Sequence, residues 1–504
     1  MKYLLQITFQ KIINLTYLIC KIKKILKLSF LETYCKKRGK HLFNNLWILT
    51  EERPKKEVIE VIFQKYLTDN NIAGFVDYIR ILPVLDNNSF TFLYEVTGLS
   101  ASKISNIYIK IISGKSSFVD YLVFESINQP NQNDIPIYAI EETKTDDKES
   151  RNTGVYQRSS KFVYVDFFYP NVSKIMLYNL QIEQKKEATL TYIFGTKMLK
   201  TLDVEILGKK EIDDKKYDAF TSVDELIKLK NSMPETKNGV TVRLSKKQNS
   251  IEISSKLEKS GKLGSDPSIG MTTIISNCLR KLGWDKDIII TQHNLPNQQS
   301  VGKNNKFIQI ANKLDIKLEN LHIPQVKPKN TYWYYEENGE KIGTIFLDIV
   351  VDEFSEGFTI YHNHAGCERG YFLTSDNKKL AVEKYTNRAK YKAGDKSKIF
   401  ALPDLVLKDE KEKLIINIEG EMYKNSLLGI KQLEGFDAFE EEYISKYYPS
   451  FNISRTVVLY GSEDNKKPIG QISFILTTHG TILTNIKAPK LFMESFKNIF
   501  DYWK

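Results

Sequence analysis

One order of features occurs twice in this chain, once in each half, and it constrains the fold more than any other property of the sequence. The two copies run from Asp120 to Tyr178 and from Asp404 to Tyr460. Each has acidic residues around two apolar segments, then a helix-length segment stopping at an aromatic-Tyr-Pro sequence, then an apolar segment closing on Leu-Tyr. Since 504 residues exceed the size of one ordinary core, we expect two α/β domains of one architecture.

The first copy places acidic residues at the ends of two predicted strands. Asp120 lies in FVDYLVF, and after the polar loop NQPNQNDIP a second strand ends at Glu142-Thr143-Lys144. Residues i and i+2 of a strand share a face, so Glu142 and Lys144 point the same way. If the strands pair, Asp120 can face Glu142, and two carboxylates form a site for Mg²⁺. Glu141 is the alternative ligand if the register shifts by one residue.

The second copy repeats this pattern with three acidic residues. Pro403-Asp404 precedes one predicted strand, the charged turn KDEKEK follows, and a second strand ends at Glu419-Gly420-Glu421. A β-hairpin brings Asp404 towards Glu419, and Glu421 lies on the same face two residues on. Glu421 could bind metal or act as a general base, and Lys424 is the candidate for a positive charge.

These segments resemble the PD-(D/E)XK nuclease superfamily, whose core order is strand hairpin, helix, strand. Val119 departs from the frequent Pro of the motif and Glu421 from the usual Lys, although some restriction endonucleases of the superfamily carry Glu there. The resemblance implies a type II restriction endonuclease that hydrolyses double-stranded DNA with Mg²⁺, with one site for each strand of an asymmetric target. The implied catalytic residues are Asp120, Glu142, Lys144, Asp404, Glu419 and Glu421, and the implied metal ligands are Asp120, Glu142, Asp404 and Glu419. Surface ion pairs at strand ends are the alternative.

The region between the two copies is rich in side chains that contact nucleic acids. Asn and Gln can bind adenine bidentately, and Lys and Arg can bind guanine or phosphate. A Lys-rich segment further along the chain, 378–398, has the composition of a phosphate-contacting surface. The predicted DNA-binding residues are Arg280, Lys281, Asn294, Gln298, Gln299, Lys303, Lys306, Lys390 and Lys392. A solvated connecting loop is the alternative for the middle residues and a solvated helix face for the last two.

The predicted fold class is mixed α/β, with two restriction-endonuclease-like domains and a DNA-recognition region between them. The predicted boundaries are 1–50 for a basic and apolar extension, 51–235 for the first domain, 236–345 for the middle region and 346–504 for the second domain. The extension reads as a basic amphipathic helix or a poorly ordered segment, with a membrane-surface anchor or a cleaved signal as alternatives. No apolar run in it reaches the about 20 residues that span a bilayer, so we expect no stable membrane association.

Composition agrees with a nucleic-acid partner in a reducing compartment. The formal net charge is +11, which favours a polyanion such as DNA. Four scattered cysteines argue against a disulfide scaffold and favour a cytoplasmic protein. The sequence also lacks a GxxxxGK[ST] loop, so nothing indicates an ATP-driven motor.

Two alternatives stay open beside the restriction enzyme. One is a repair or mobile-element nuclease of the same superfamily, and another is a DNA-binding protein with degenerate nuclease domains. The sequence leaves open whether the protein is a monomer or a homodimer. His362-Asn363-His364 spells HNH but lacks the surrounding pattern of that nuclease fold, and no fourth ligand joins these histidines and Cys367 for a soft metal.

Overall fold

Helices pack on both faces of mixed β-sheets, so the predicted mixed α/β class is confirmed. The computed structural model describes residues 43–86, 89–114, 118–143, 154–178, 190–208, 215–233, 242–259, 262–263, 266–291, 298–302, 305–326, 331–336, 339–363, 370–382, 401–461, 474–477, 482–484 and 490–503.

The first unit is built on the largest of the described sheets. Its elements are β1 (Asn44–Thr50), α1 (Lys56–Asp69), β2 (Gly74–Asp86), β3 (Ser89–Ala101), β4 (Ile104–Gly114), β5 (Tyr121–Ser126), β6 (Tyr138–Thr143), α2 (Gly154–Phe168), β7 (Ser173–Tyr178), α3 (Leu190–Thr201), β8 (Val204–Leu207) and α4 (Val223–Ser232). The strand order is β2-β3-β4-β1-β5-β6-β7-β8. β5 and β6 form an antiparallel hairpin, α2 follows, and β7 then runs parallel to β6.

A smaller sheet forms the middle unit. Its elements are β9 (Val242–Lys246), β10 (Ser250–Ser255), β11 (Glu258–Lys259), β12 (Lys262–Leu263), α5 (Asp266–Lys281), β13 (Asp287–Thr291), α6 (Gln298–Gly302), α7 (Asn305–Lys313) and β14 (Ile316–Leu318). The next strand along the chain, β15 (Trp333–Tyr335), pairs with β4 and belongs to the first sheet. β9 and β10 form a hairpin, α5 follows, and β13 runs parallel to β10. The order of hairpin, helix and strand therefore occurs here as well, which the sequence analysis did not predict.

The second of the two units that flank the middle unit has the same order again. Its elements are α8 (Gly339–Phe354), β16 (Phe358–His362), β17 (Tyr371–Leu373), β18 (Lys379–Ala381), β19 (Leu405–Asp409), β20 (Leu414–Met422), α9 (Ser426–Glu434), α10 (Asp437–Phe439, continued as a π-helix over Glu440–Ser445), β21 (Asn452–Gly461), β22 (Phe474–Thr477), β23 (Ile482–Thr484) and α11 (Lys490–Trp503). β19 and β20 form the hairpin, α9 and α10 follow, and β21 runs parallel to β20.

The central strands are apolar on both faces because helices cover both sides of the sheet. On β1, Leu46 and Ile48 enter one hydrophobic core while Trp47 and Leu49 enter the other. The core around Trp47 also contains residues of the middle unit, and α2 packs directly against α5. The first unit and the middle unit therefore share one core.

The second core joins the first unit to α8. Apolar residues of α8 pack with the first sheet and with β19 and β20 in this core. At its edge, Arg53 donates to Asp348 at 3.0 Å and Arg80 to Glu353 at 3.1 Å, and Lys56 Nζ lies 2.7 Å from Glu353. Basic residues of the first unit thus bind an acidic side of α8.

Two observed elements do not follow the predicted division of the chain into segments. β1 begins at Asn44, within the range assigned to the N-terminal extension, and lies in the middle of the first sheet. α8 runs through the predicted boundary between residues 345 and 346. Residues 1–42, which make up most of the predicted extension, lie outside the described residues.

Candidate functional site

The first pair of carboxylates lies at the end of the β5–β6 hairpin. Tyr121, the first residue of β5, pairs with Ile140 of β6. The strands are antiparallel, so Asp120, which precedes Tyr121, stands opposite Glu141, which follows Ile140. The backbone N–H of Asp120 donates to Glu141 Oε2 at 3.2 Å. Directly opposed residues point to the same face of a sheet, so the pair that forms is Asp120 and Glu141.

Glu142 points to the opposite face, so the expected pairing of its side chain with Asp120 is not observed. Its Oε1 accepts a hydrogen bond from Lys55 Nζ at 2.6 Å, at the start of α1. Its backbone N–H, rather than its carboxylate, contacts Asp120 by donating to Oδ2 at 2.7 Å. The register differs by one residue from the expected one, and such a shift exchanges the faces of all side chains. Lys144 lies outside the described residues.

Two basic side chains of α2 bind the first carboxylate pair. Arg158 Nη1 lies 2.9 Å from Glu141 Oε1 and 3.5 Å from Asp120 Oδ2, and it donates to the carbonyl of Glu142 at 2.6 Å. Lys161 Nζ lies 2.7 Å from Glu141 Oε1 and 3.6 Å from Asp120 Oδ1. Two cations therefore balance the two carboxylates in this cluster.

Burial controls the protonation of Glu141, which is fully buried. Burial raises the pKa of the Glu141 carboxyl to about 7, and the charge of Asp120 adds to the rise while Lys161 and Arg158 oppose it. Burial also tends to lower the pKa of Lys161, but the charges of Glu141 and Asp120 outweigh burial and raise it overall. Lys161 thus stays charged at neutral pH, where Glu141 exchanges between its two protonation states.

The second carboxylate pair lies at the end of the β19–β20 hairpin. Leu405 pairs with Ile418, so Asp404 and Glu419 stand opposite each other, as the sequence analysis predicted. Glu421 lies on the same face two residues further along β20. This hairpin therefore directs three carboxylates to one side of the sheet.

One hydrogen bond has the same position in both hairpins. Asp404 Oδ2 accepts from the backbone N–H of Gly420 at 2.9 Å, and Asp120 Oδ2 accepts from that of Glu142 at 2.7 Å. In each case the donor is the residue that follows the paired Glu. Glu419 is therefore the structural equivalent of Glu141, and Glu421 of Thr143.

The middle hairpin has no such pair. Val242 of β9 pairs with Ser255 of β10, as Tyr121 pairs with Ile140 and Leu405 with Ile418. Lys256 then takes the position that Glu141 and Glu419 occupy in the other two units. A positively charged residue at this position does not ligate a cation, so the middle hairpin offers no counterpart of the two flanking carboxylate pairs.

Comparison of the chain with protein-family models, with curated proteins and with solved structures found no match. No helix within the described ranges has both the length and the apolar character needed to cross a bilayer.

The carboxylates of the two hairpins can be compared with the ligands that a divalent cation needs. In the part of the chain that the structure describes, no three His, Cys, Asp or Glu side chains converge as a metal site. Mg²⁺, however, usually takes one or two protein carboxylates and completes its shell with water and substrate phosphate. Asp404 and Glu419 offer such a pair, with Glu421 beside it. In the first pair a cation must compete with Arg158 and Lys161.

Helix α9 lies directly against the second carboxylate group because Gly429 lacks a side chain. A Cβ at Gly429 would come within 3.1 Å of Glu421 Cγ and of Val457 Cγ1, which is tighter than ordinary contact. The backbone of α9 at Gly429 therefore packs closely against the Glu421 side chain.

We expect the Gly429→Ala variant to be less stable than the parent protein. Alanine normally stabilises a helix interior by up to about 1 kcal/mol relative to glycine, whereas overpacking costs about 1–3 kcal/mol. Urea denaturation would measure the difference, with Gly302→Ala as control because nothing lies within 4 Å of a Cβ there. A gain of stability in Gly429→Ala would show that α9 can move away from Glu421.

Several predicted DNA-binding residues are engaged within the protein. The Arg280 guanidinium donates to the carbonyls of Leu314, Trp284, Lys286 and Asp315 at 2.6–3.1 Å, so it ties α5 to neighbouring loops. We therefore correct its assignment from DNA contact to structural support.

Gln298 also has a local partner. Its side chain exchanges two hydrogen bonds with the backbone of His322. Lys281 forms a surface ion pair with Asp203 at 2.5 Å, and Gln299 is exposed on α6. Lys306 is half-buried at the start of α7. Asn294, Lys303, Lys390 and Lys392 lie outside the described residues.

Sequence reasoning missed Arg158 and Lys161. A usable signal was present, because residues three apart lie on the same face of a helix and two cations at that spacing can reach one acidic site. The helix was instead interpreted through its aromatic residues, which do lie in the core: Phe162, Tyr164 and Tyr169 are all buried.

Proposed function

We propose that the protein is a Mg²⁺-dependent DNA endonuclease of the PD-(D/E)XK type, acting as a type II restriction enzyme. The observation that carries the proposal is the repeated geometry of the two flanking units. In each, a hairpin places an Asp opposite a Glu, and the Asp accepts the backbone N–H that follows the Glu. Nuclease activity needs carboxylates that converge at one end of a sheet, and an Asp opposite a Glu at the end of each hairpin supports the proposal.

In the second unit, the residues that would hold Mg²⁺ are Asp404 and Glu419. A bound Mg²⁺ supplies Lewis acidity towards the scissile phosphate. The Glu421 carboxylate, on the same face, orients a water molecule and accepts its proton as the water oxygen bonds to phosphorus. The bond from phosphorus to the leaving sugar oxygen breaks, and that oxygen takes a proton from solvent.

In the first unit, Asp120 and Glu141 take the corresponding positions. Lys161 contacts both carboxylates and supplies an ammonium group beside the pair. We therefore assign to Lys161 the role of the lysine in the D…ExK pattern of this unit. An ammonium in this position stabilises negative charge on phosphate oxygens during hydrolysis.

The first test of the proposed nuclease activity is incubation of the purified protein with phage DNA and Mg²⁺. A restriction enzyme produces discrete bands, whereas a repair or mobile-element nuclease without sequence preference produces a smear. Intact DNA after long incubation, with EDTA and Mg²⁺ samples alike, would contradict nuclease activity of either kind.

We expect single-site variants to nick supercoiled plasmid without linearising it. If each unit cuts one strand, Asp120→Asn removes one cut and Glu421→Gln removes the other, so each variant yields open circles. Sequencing the nicked ends should place the two nicks on opposite strands. Linear product from either variant, at the rate of the parent protein, would exclude that site from the chemistry.

A second candidate function is DNA binding without cleavage. Its specific support is the charge balance of the first pair, in which Arg158 and Lys161 already occupy the positions around both carboxylates. In that case binding would persist without Mg²⁺ and fall steeply as salt rises, because phosphate contacts release counterions. Mg²⁺ would then cause no cleavage by any variant.

A further inference from the structure

An exposed apolar pair on α9 stands beside the second carboxylate group. Leu427 is 76% exposed and Leu428 is 53% exposed, whereas Ser426 and Gly429 of the same turn are buried. A surface helix normally buries its leucines and exposes its small and polar residues. The orientation is reversed here, because Glu421 and Val457 leave no room for a larger residue at Gly429.

The surroundings of the two leucines favour a polyanionic partner. Lys424 and Asn425 precede them and Lys431 follows, and all three are exposed. Adjacent exposed leucines mark a contact surface more often than single ones do. Cationic groups on both sides of an apolar pair suit a nucleic-acid duplex, whose phosphates flank stacked bases.

We propose that Leu427 and Leu428 form an apolar wedge that enters a DNA duplex and unstacks a base step next to the bond that is cut. Proteins commonly use leucine in this way and kink the duplex. Because the α9 backbone at Gly429 packs against Glu421, the wedge lies next to the carboxylates. This inference rests on the proposed function for the identity of the partner.

The test compares two fluorescein-labelled duplexes of mixed sequence, identical except that one carries a single mismatched step. Binding is measured by fluorescence anisotropy with the full-length protein in EDTA, so cleavage does not interfere. Unstacking is cheaper at a mismatch, and we expect the parent protein to bind that duplex about tenfold more tightly. The Leu427→Ala/Leu428→Ala variant should lose this preference, and surface substitutions of this kind rarely affect folding.

The matched control is Ile127→Ala/Ile135→Ala, which removes two exposed apolar side chains from a loop of the first unit. It should keep the preference. Retention of the preference in the leucine variant would overturn the wedge. So would a change from dimer to monomer in sedimentation with DNA binding unaltered, since a second copy would then be the occupant.

The same experiment separates this inference from the proposed function. A protein that prefers the mismatched duplex through its leucines, yet never cleaves DNA with Mg²⁺, would contradict the nuclease and leave the wedge in place. A parent protein that binds neither duplex would overturn both.

Discussion

A protein carrying Asp120→Asn and Asp404→Asn together is expected to lose the proposed Mg²⁺-dependent DNA cleavage by at least about 10³-fold. Each proposed metal site then lacks a charged ligand worth several kcal/mol in the transition state. Asparagine keeps an oxygen in the same place, so the hydrogen bonds from Glu142 and Gly420 can persist. Cleavage of phage DNA over a time course measures the loss.

The control for this variant changes two exposed carboxylates elsewhere. Asp376→Asn/Glu410→Gln alters the net charge of the protein by the same amount, and both residues lie at the surface. Non-specific attraction to DNA should therefore change equally in the two double variants. Undiminished cleavage by the Asp120→Asn/Asp404→Asn protein, or equal losses in both proteins, would refute the proposed sites.

The Arg158→Met variant is expected to lose on the order of 3–5 kcal/mol of stability at pH 8, because it leaves the buried Glu141 carboxylate with one cation too few. The loss should be smaller at pH 5. The pKa of Glu141 in the folded protein is about 7, above its ordinary value, so Glu141 binds a proton more readily when folded. Its stabilising protonated form is fully present below about pH 4.5 and is lost as the pH rises through 7.

Urea denaturation at the two pH values measures this effect, and a second substitution provides the control. Glu141→Met/Arg158→Met removes one charge of each sign and leaves Asp120 with Lys161. Such balanced apolar replacement is often neutral or stabilising, so the double variant should recover most of the loss. Lys228→Ala, an exposed substitution on α4, should change nothing. Equal losses in the single and double variants would show that Arg158 stabilises the fold through packing alone.

The hairpins and the elements after them could be predicted from the sequence because their signals are local. Turn-rich loops separate the short apolar segments that form the strands. A Tyr-Pro sequence follows shortly after the end of α2 and after the end of the π-helix that continues α10. The register of β6 could not be predicted in the same way. All six of its residues are buried, so no alternation of apolar and polar residues shows which face Glu142 occupies. The register of β20 was easier to predict. Gly420 takes the position of Glu142 there and has no carboxylate, so Glu419 is the residue that can face Asp404.

The third hairpin unit escaped prediction for a related reason. The sequence analysis found the flanking units through their acidic residues, and the middle unit carries Lys256 in place of a carboxylate. The role of Arg280 also depends on distant chain segments. Its partners Leu314 and Asp315 lie far along the sequence, so a basic residue at a helix end could equally face solvent.

The packing of α2 against α5 limits how this protein could be re-engineered. Arg158 and Lys161 lie on α2 and contact Glu141. Helix α5, which packs against α2, belongs to the segment 236–345 that was predicted to recognise DNA. Replacing residues 236–345 with a different DNA-binding domain would remove α5, and with it the apolar side chains that pack against α2. If the middle unit does contact DNA, a change of its sequence preference would therefore have to come from surface substitutions. Exchange of the whole middle unit would disrupt the shared core.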